Sequence, residues 1–225
     1  MEGAPDYEFF PTPAPLTRWM MAEVRARMGG ISRRVLEPCA GAGDISVVLR
    51  ETPCDVIESD LDPRWNLPIA DATLPAIYLQ HQPHWCVTNF PFSLALPILE
   101  QMLLHASRGV AAYHRITLKE PLKTEGLGRS FFREHPPTMT LYCPRFAHQR
   151  SRKTGQYSTD SACCVWSVWR RDLAVIGDVW PPDAVFDELR AYEPTYRSRL
   201  DVLNGLHGTE KERQAQWQAR WAKAA

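Results

Sequence analysis

Asn89-Phe90-Pro91-Phe92 brings together an amide acceptor, a chain stiffened by proline and an aromatic ring. Methyl transfer to an exocyclic amine on a planar base would use such a set. The amine lone pair is delocalised into the ring and must be freed before it can attack a sulfonium methyl. Two acceptors on the amine hydrogens free it by drawing the nitrogen toward tetrahedral geometry. The side-chain oxygen of Asn89 and the backbone carbonyl of Phe90 are the candidates. No strong general base is needed if the proton leaves after transfer, when the amine is cationic and acidic. Pro91 fixes φ between the parts. Phe92 can stack on the base, which would have to be flipped out of any duplex.

A second run, Glu37-Pro38-Cys39-Ala40-Gly41-Ala42-Gly43, closes a short apolar segment upstream. Glycines at 41 and 43 let the backbone turn sharply and approach a ligand without a Cβ clash. A helix entered from this loop would point free N–H groups at a carboxylate or phosphate. Asp60, 17 residues beyond Gly43, follows the next expected strand and can accept hydrogen bonds from two ribose hydroxyls. Asp71 can reach an adenine amino group. A dinucleotide fingerprint would place a third glycine where Ser46 stands, which sets this loop apart from NAD-type sites.

The elements that must hold these residues follow from pattern and punctuation. Leu16 to Met28 reads as a helix between Pro11, Pro13, Pro15 and Gly29-Gly30. Strands are expected at Val35 to Glu37, Asp55 to Ile57, His84 to Thr88 and Gly109 to Tyr113, with helices at Asp44 to Arg50 and Ser93 to His105. This alternation predicts an α/β protein with a doubly wound, mostly parallel sheet. Beyond Lys119 the character changes, and residues 119–137 read as an irregular excursion rich in charge, glycine and proline. Thr138 to Cys143 and Ala162 to Trp169 read as strands. Asp183 to Tyr192 and Thr209 to Lys223 read as helices, the second with a Thr209/Glu212 capping box. Trp217 and Trp221 share one face of it and are expected to dock it on the protein.

Composition narrows the class. At 225 residues, 44% hydrophobic and 23% charged, the chain suits one globular domain with a small appendage. No apolar run approaches the ~20 residues that span a bilayer, and Met1 to Pro15 has no signal-peptide core. Cys39, Cys54, Cys86, Cys143, Cys163 and Cys164 show no CxxC pairing, and read as buried thiols in a reducing, cytoplasmic compartment, with no metal site. Residues 1–100 carry 7 Lys+Arg against 13 Asp+Glu, and residues 101–225 carry 19 against 13, so the halves are −6 and +6. A basic half beside an acidic cofactor half suits an enzyme acting on nucleic acid. Arg145, Arg150, Arg152 and Lys153 are the leading phosphate contacts, with Arg129 and Arg133 next.

Glu37 to Gly43 resembles motif I of S-adenosylmethionine-dependent methyltransferases. The resemblance implies that Glu37, Pro38, Ala40, Gly41 and Gly43 face the methionine end of that cofactor, Asp60 its ribose and Asp71 its adenine. Phe9-Phe10-Pro11-Thr12-Pro13 resembles motif X of amino-methyltransferases, which implies that Phe10 and Thr12 help enclose the methionine moiety. Val87 to Ser93 is similar to the Asn/Asp-Pro-Pro-Tyr/Phe motif IV of N6-adenine DNA methyltransferases, with Phe90 in place of the first proline. Asn at position 89 leans toward adenine, since cytosine-N4 enzymes more often carry Ser there. Arg115 to Glu120, and Pro144-Arg145-Phe146 through Trp169, resemble later segments of phage- and prophage-type DNA methyltransferases.

The resemblance covers roughly residues 6–170. It implies a class I methyltransferase sheet closed by a C-terminal antiparallel hairpin in residues 1–175, with basic, substrate-facing segments in 119–160. Residues 176–225 would form a helical extension packed on that domain. The implied cofactor is S-adenosylmethionine and the implied partner DNA, with RNA the alternative polymer, no membrane, and a monomer or homodimer as the working state. The rival readings are a protein-glutamine methyltransferase and a catalytically silent relative that binds cofactor or nucleic acid.

Overall fold

The computed structural model describes residues 9–119, 127–158 and 163–222. The first helix, α1 (Ala14–Met28), has Pro15 in its opening turn, where a missing N–H costs nothing, and stops at Gly29 in the left-handed region (φ 76°). Three parallel units follow: β1 (Arg33–Glu37) with α2 (Asp44–Leu49), β2 (Cys54–Glu58) with α3 (Ala76–His81), and β3 (Trp85–Asn89) with α4 (Ala95–His105). Then come β4 (Gly109–Arg115), α5 (Leu127–Glu134), β5 (Met139–Tyr142), β6 (Cys164–Arg170), β7 (Gly177–Val179), α6 (Asp183–Leu203) and α7 (Glu210–Ala222).

All seven strands share one sheet in the order β2-β1-β3-β4-β6-β5-β7. β2, β1, β3 and β4 run parallel, and β6 lies antiparallel between β4 and β5. Successive side chains alternate between two apolar layers, as strand geometry requires. Val35, Trp85, Val87, Ala111 and Tyr113 pack toward α1, α2 and α6, whereas Leu36, Cys86, Val110 and Ala112 pack toward α3, α4 and α5. The sheet is thus covered on both faces, which is why its central strands are apolar almost throughout. Among the described residues, no helix is long and apolar enough to cross a membrane.

Four expectations need correction. The 119–137 stretch contains helix α5, held by Phe132 against His114 and Trp169 with ring centroids 5.5 and 5.9 Å apart. The helix begun at Asp183 runs on to Leu203 through Pro194, because Val185, Leu189, Tyr196 and Leu200 form one continuous buried stripe. Burial of that stripe outweighs the single backbone bond that proline removes. The segment after residue 175 is not wholly helical, since β7 pairs in parallel with β5 and extends the sheet. A single 3-10 turn, Phe92–Leu94, precedes α4. Helix α3 (Ala76–His81) was not expected either, and the remaining elements lie within a few residues of expectation. The capping box forms, with Glu212 accepting from the Thr209 backbone N–H at 2.6 Å, and Trp217 is buried beneath α7.

Candidate active site

Strand order reverses between β1 and β3, and such a switch point leaves a crevice at the carboxyl ends of the strands. Here it is a cavity of about 260 Å³. Glu37, Pro38, Cys39, Ala40 and Gly41 at the end of β1 line it, as do Asn89, Pro91, Ser93 and Leu94 at the end of β3. Asp60, Leu61, Asp62, Trp65, Asp71 and Ala72 close the far end. Phe9, Phe10, Pro11 and Thr12 lie along it as an outer arm.

The glycine loop is fixed by its own backbone. Gly41 and Gly43 take φ of 52° and 78°, conformations that side-chain-bearing residues rarely adopt. Gly43 N–H donates to Ala40 O at 2.8 Å, and Ala40 N–H to Ser59 O at 3.0 Å. A Cβ at Gly41 would stand 3.0 Å from the Phe9 ring, which lies 4.7 Å from the Trp65 ring, centroid to centroid. Arm and loop therefore touch where only glycine leaves room.

Five acidic residues line this cavity, Glu37, Asp44, Asp60, Asp62 and Asp71. Asp60 accepts from Gly41 N–H and Asp62 N–H, each at 2.8 Å, and its burial raises the carboxyl above its ordinary value. A single parallel bridge, Asp60 to Ile69, brings the chain back so that Asp71 stands nearby. Asp71 accepts from the Thr73 backbone and hydroxyl at 2.9 and 2.7 Å. Glu37 is fully buried and accepts from the Ser46 hydroxyl, and burial pushes its carboxyl well up. Ser46, in the place of a third glycine, is thus a partner for Glu37. The start of α2 departs from expectation as an anion site. Asp44 stands in that first turn and is paired with Arg199.

Asn89 ends β3 in a single orientation. Its amide nitrogen donates to Phe10 O and to Thr12 Oγ1, the latter at 3.0 Å. A backbone carbonyl can only accept, so the nitrogen must face the arm. Asn89 Oδ1 is buried and has no hydrogen-bond partner among the described residues. The Phe92 ring stacks on Phe10 at 5.0 Å, and the Arg115 guanidinium lies 4.9 Å from the Phe92 centroid. Phe90 sends its ring the other way, into the apolar layer, where it stacks on His114 at 6.3 Å. Burial holds His114 down to about 3, so it is a neutral ring there. The bulk that replaces a proline is absorbed by the core.

No protein-family model matches the chain, and no curated protein matches it in sequence. Among solved structures it is similar to a protein of Vibrio vulnificus YJ016 assigned as the modification subunit of a type I restriction enzyme. Identity is 12% over 84% of this chain and 53% of that one, with a TM-score of 0.51. The chain thus spans about half the length of that subunit. It is also similar to a protein of Pyrococcus horikoshii assigned as an RNA methyltransferase (15% identity, 76% and 92% of the two chains, TM-score 0.46). A third, from Listeria monocytogenes, is assigned as a class I S-adenosylmethionine-dependent methyltransferase (10% identity, 83% and 71%, TM-score 0.47). The fold is of the class I methyltransferase type.

The basic residues expected on nucleic acid fare unequally. Arg150 is buried, and its guanidinium is held by Asp201 (2.7 Å), Glu210 (2.7 Å) and Gly155 O (2.8 Å). It ties the turn at 150–157 to α6 and α7 and is closed to phosphates. Arg152 and Lys153 are exposed on that turn, with the Arg152 guanidinium 3.7 Å from the Trp221 ring centroid. Arg145 is exposed beyond β5, and its Nε donates to Cys163 Sγ at 3.5 Å. Arg133 is exposed in the last turn of α5, while the Arg129 side chain lies outside the described residues.

Sequence reasoning missed the late residues that brace the site. Arg199 donates to Asp44 and, at 3.3 Å, to Ala42 O in the glycine loop. His148 and Tyr196 both donate to Pro11 O at 3.1 Å, and Gln149 donates to Phe9 O.

Proposed function

We propose that this protein transfers the methyl group of S-adenosylmethionine to an exocyclic amine of a DNA base, adenine N6, and is of the phage or prophage type. The observation that carries this reading is Asn89 Oδ1, a buried acceptor without a partner among the described residues, on a side chain that lines the cavity together with Glu37 to Gly41. A buried polar atom of this kind calls for a ligand donor. An amine hydrogen would satisfy it.

The donor set fits the cofactor. Asp60 would accept from ribose hydroxyls, Asp71 from an adenine amine, and Glu37 would lie at the methionine end with Thr12 and the Phe10 ring across from it. When bound, the cofactor supplies an electrophilic methyl on a sulfonium sulfur, and that sulfur keeps the bonding pair. Asn89 Oδ1 and the Phe90 carbonyl would hold the two amine hydrogens, directing the nitrogen lone pair at the methyl carbon. The new N–C bond leaves a cationic amine, whose proton passes to solvent. Arg145, Arg152, Lys153 and Arg133 supply the exposed positive charge for phosphates. The cysteines are free thiols, which suits a cytoplasmic setting.

DNA as the polymer, and adenine as the base, rest on the likeness of residues 87–93 to motif IV. Incubation with methyl-labelled S-adenosylmethionine and either unmethylated DNA or RNA, followed by nucleoside analysis, tests both. Label in N6-methyladenosine from RNA alone would move the substrate to RNA. Cofactor binding with no transfer to either polymer would identify a silent relative.

A further inference from the structure

The arm at residues 9–12 is held by side chains from far along the chain. Pro11 O accepts from His148 Nδ1 and from the Tyr196 hydroxyl, both at 3.1 Å, and that hydroxyl shares its single proton with His148 O at 3.2 Å. Because that carbonyl can only accept, His148 carries its proton on Nδ1 and receives the Tyr113 hydroxyl at Nε2, 3.1 Å away. Tyr196, Tyr113, His148 and Thr12 are all buried, and a buried, satisfied polar network holds its members in one arrangement. The next residue, Thr12, presents Oγ1 to the Asn89 amide nitrogen. Pro11 is therefore gripped from one side while its neighbours, Phe10 and Thr12, orient Asn89 from the other.

We propose that Tyr196 and His148 are positioning residues for methyl transfer. Through Pro11 and Thr12 they fix the Asn89 amide so that its oxygen, rather than its nitrogen, meets the substrate amine. This rests on the function proposed above. Neither residue touches the reacting atoms, and Tyr196→Phe keeps the ring that packs edge-on against Phe146 at 4.9 Å. Loss of the hydroxyl leaves the Asn89 amide less restrained, and small errors of placement are costly in rate.

The test is a double-mutant cycle of Tyr196→Phe and Thr12→Val, read by single-turnover methyl transfer at saturating cofactor and DNA. Tyr196→Phe should slow transfer about tenfold, with the melting temperature nearly unchanged. In the Thr12→Val background the same change should cost little more. His148→Asn, which keeps a donor near Nδ1, should retain more activity than His148→Ala. Fully additive losses would overturn the proposal. Independently of activity, the Asn89 side-chain amide protons should exchange faster with solvent in Tyr196→Phe, seen by NMR. Unchanged exchange would also overturn it. If wild-type protein methylates neither polymer, the functional reading falls, while amide exchange still decides whether Tyr196 holds Asn89.

Discussion

The backbone N–H of Gly41 donates to Asp60 Oδ2 over 2.8 Å, joining the loop after β1 to the end of β2 across 19 residues of chain. Asp60 therefore does two things at once. It pins the glycine loop, and it keeps acceptor capacity, since a carboxylate offers about four lone-pair directions.

Asp60→Ala should weaken S-adenosylmethionine binding by about 10- to 100-fold, through lost ribose contacts and a loosened loop. Asp60→Asn should fall between, because its oxygen can still accept from Gly41. Isothermal titration calorimetry gives the constants, and an unchanged value for the alanine variant would remove Asp60 from the cofactor site.

Asn89→Ala should reduce methyl transfer by about 100-fold or more, on the scale of removing one preorganised hydrogen-bonding group. Cofactor affinity should stay within a few fold. Single-turnover transfer and direct cofactor binding separate the two effects. A variant with full transfer rate would end the proposed role of Oδ1.

Arg145 and Arg150 should part company. Arg145→Ala should weaken nucleic-acid binding and lower the salt slope by about one phosphate contact. Arg150→Met should instead destabilise the fold by about 1–3 kcal/mol, since the buried Asp201 carboxylate loses one of its two arginine partners and keeps only Arg213 and the Tyr157 hydroxyl. Fluorescence anisotropy across a salt series and chemical denaturation read these out. A stable Arg150→Met protein with weakened DNA binding would reverse the assignment.

Glu37 sets a pH dependence. Burial raises its carboxyl in the folded chain above the value of about 4.3 in the unfolded chain, so folding favours the protonated form. Its contribution is full below about pH 4 and is lost as pH rises toward the folded value. Glu37→Gln, which keeps an acceptor for Ser46, should match wild type near pH 4 and melt higher at pH 8. Melting curves between those limits check the sign. The same variant should bind S-adenosylmethionine more weakly if Glu37 faces its ammonium group.

The parallel half of the fold was legible because β3, β4 and the Val35-Leu36 pair in β1 are apolar and the loops between them carry proline, glycine and acidic residues in order. The Asn89 run and the glycine loop were legible because each is local. Arg150 was not. Its partners Asp201 and Glu210 lie 51 and 60 residues away, and beside Arg152 and Lys153 it reads as one more exposed charge. Pro194 misled for the opposite reason: local propensity says stop, but the stripe buried against α1 continues beyond it. The brace from Tyr196 and His148 to Pro11 leaves no mark that spacing alone could reveal.

The bond from Tyr196 to Pro11 spans 185 residues, so the outer wall of the cavity is made early in synthesis and secured late. Until α6 has emerged, the arm lacks the Tyr196 bond and rests on the contacts of Phe9 with Trp65 and of Phe10 and Thr12 with Asn89. Contacts of such separation are slow to form, because the ends of a long loop must meet before the contact rewards them. A nascent chain or a proteolytic fragment ending before α6 would thus carry the chemistry's alphabet while lacking the fastening that makes it a word.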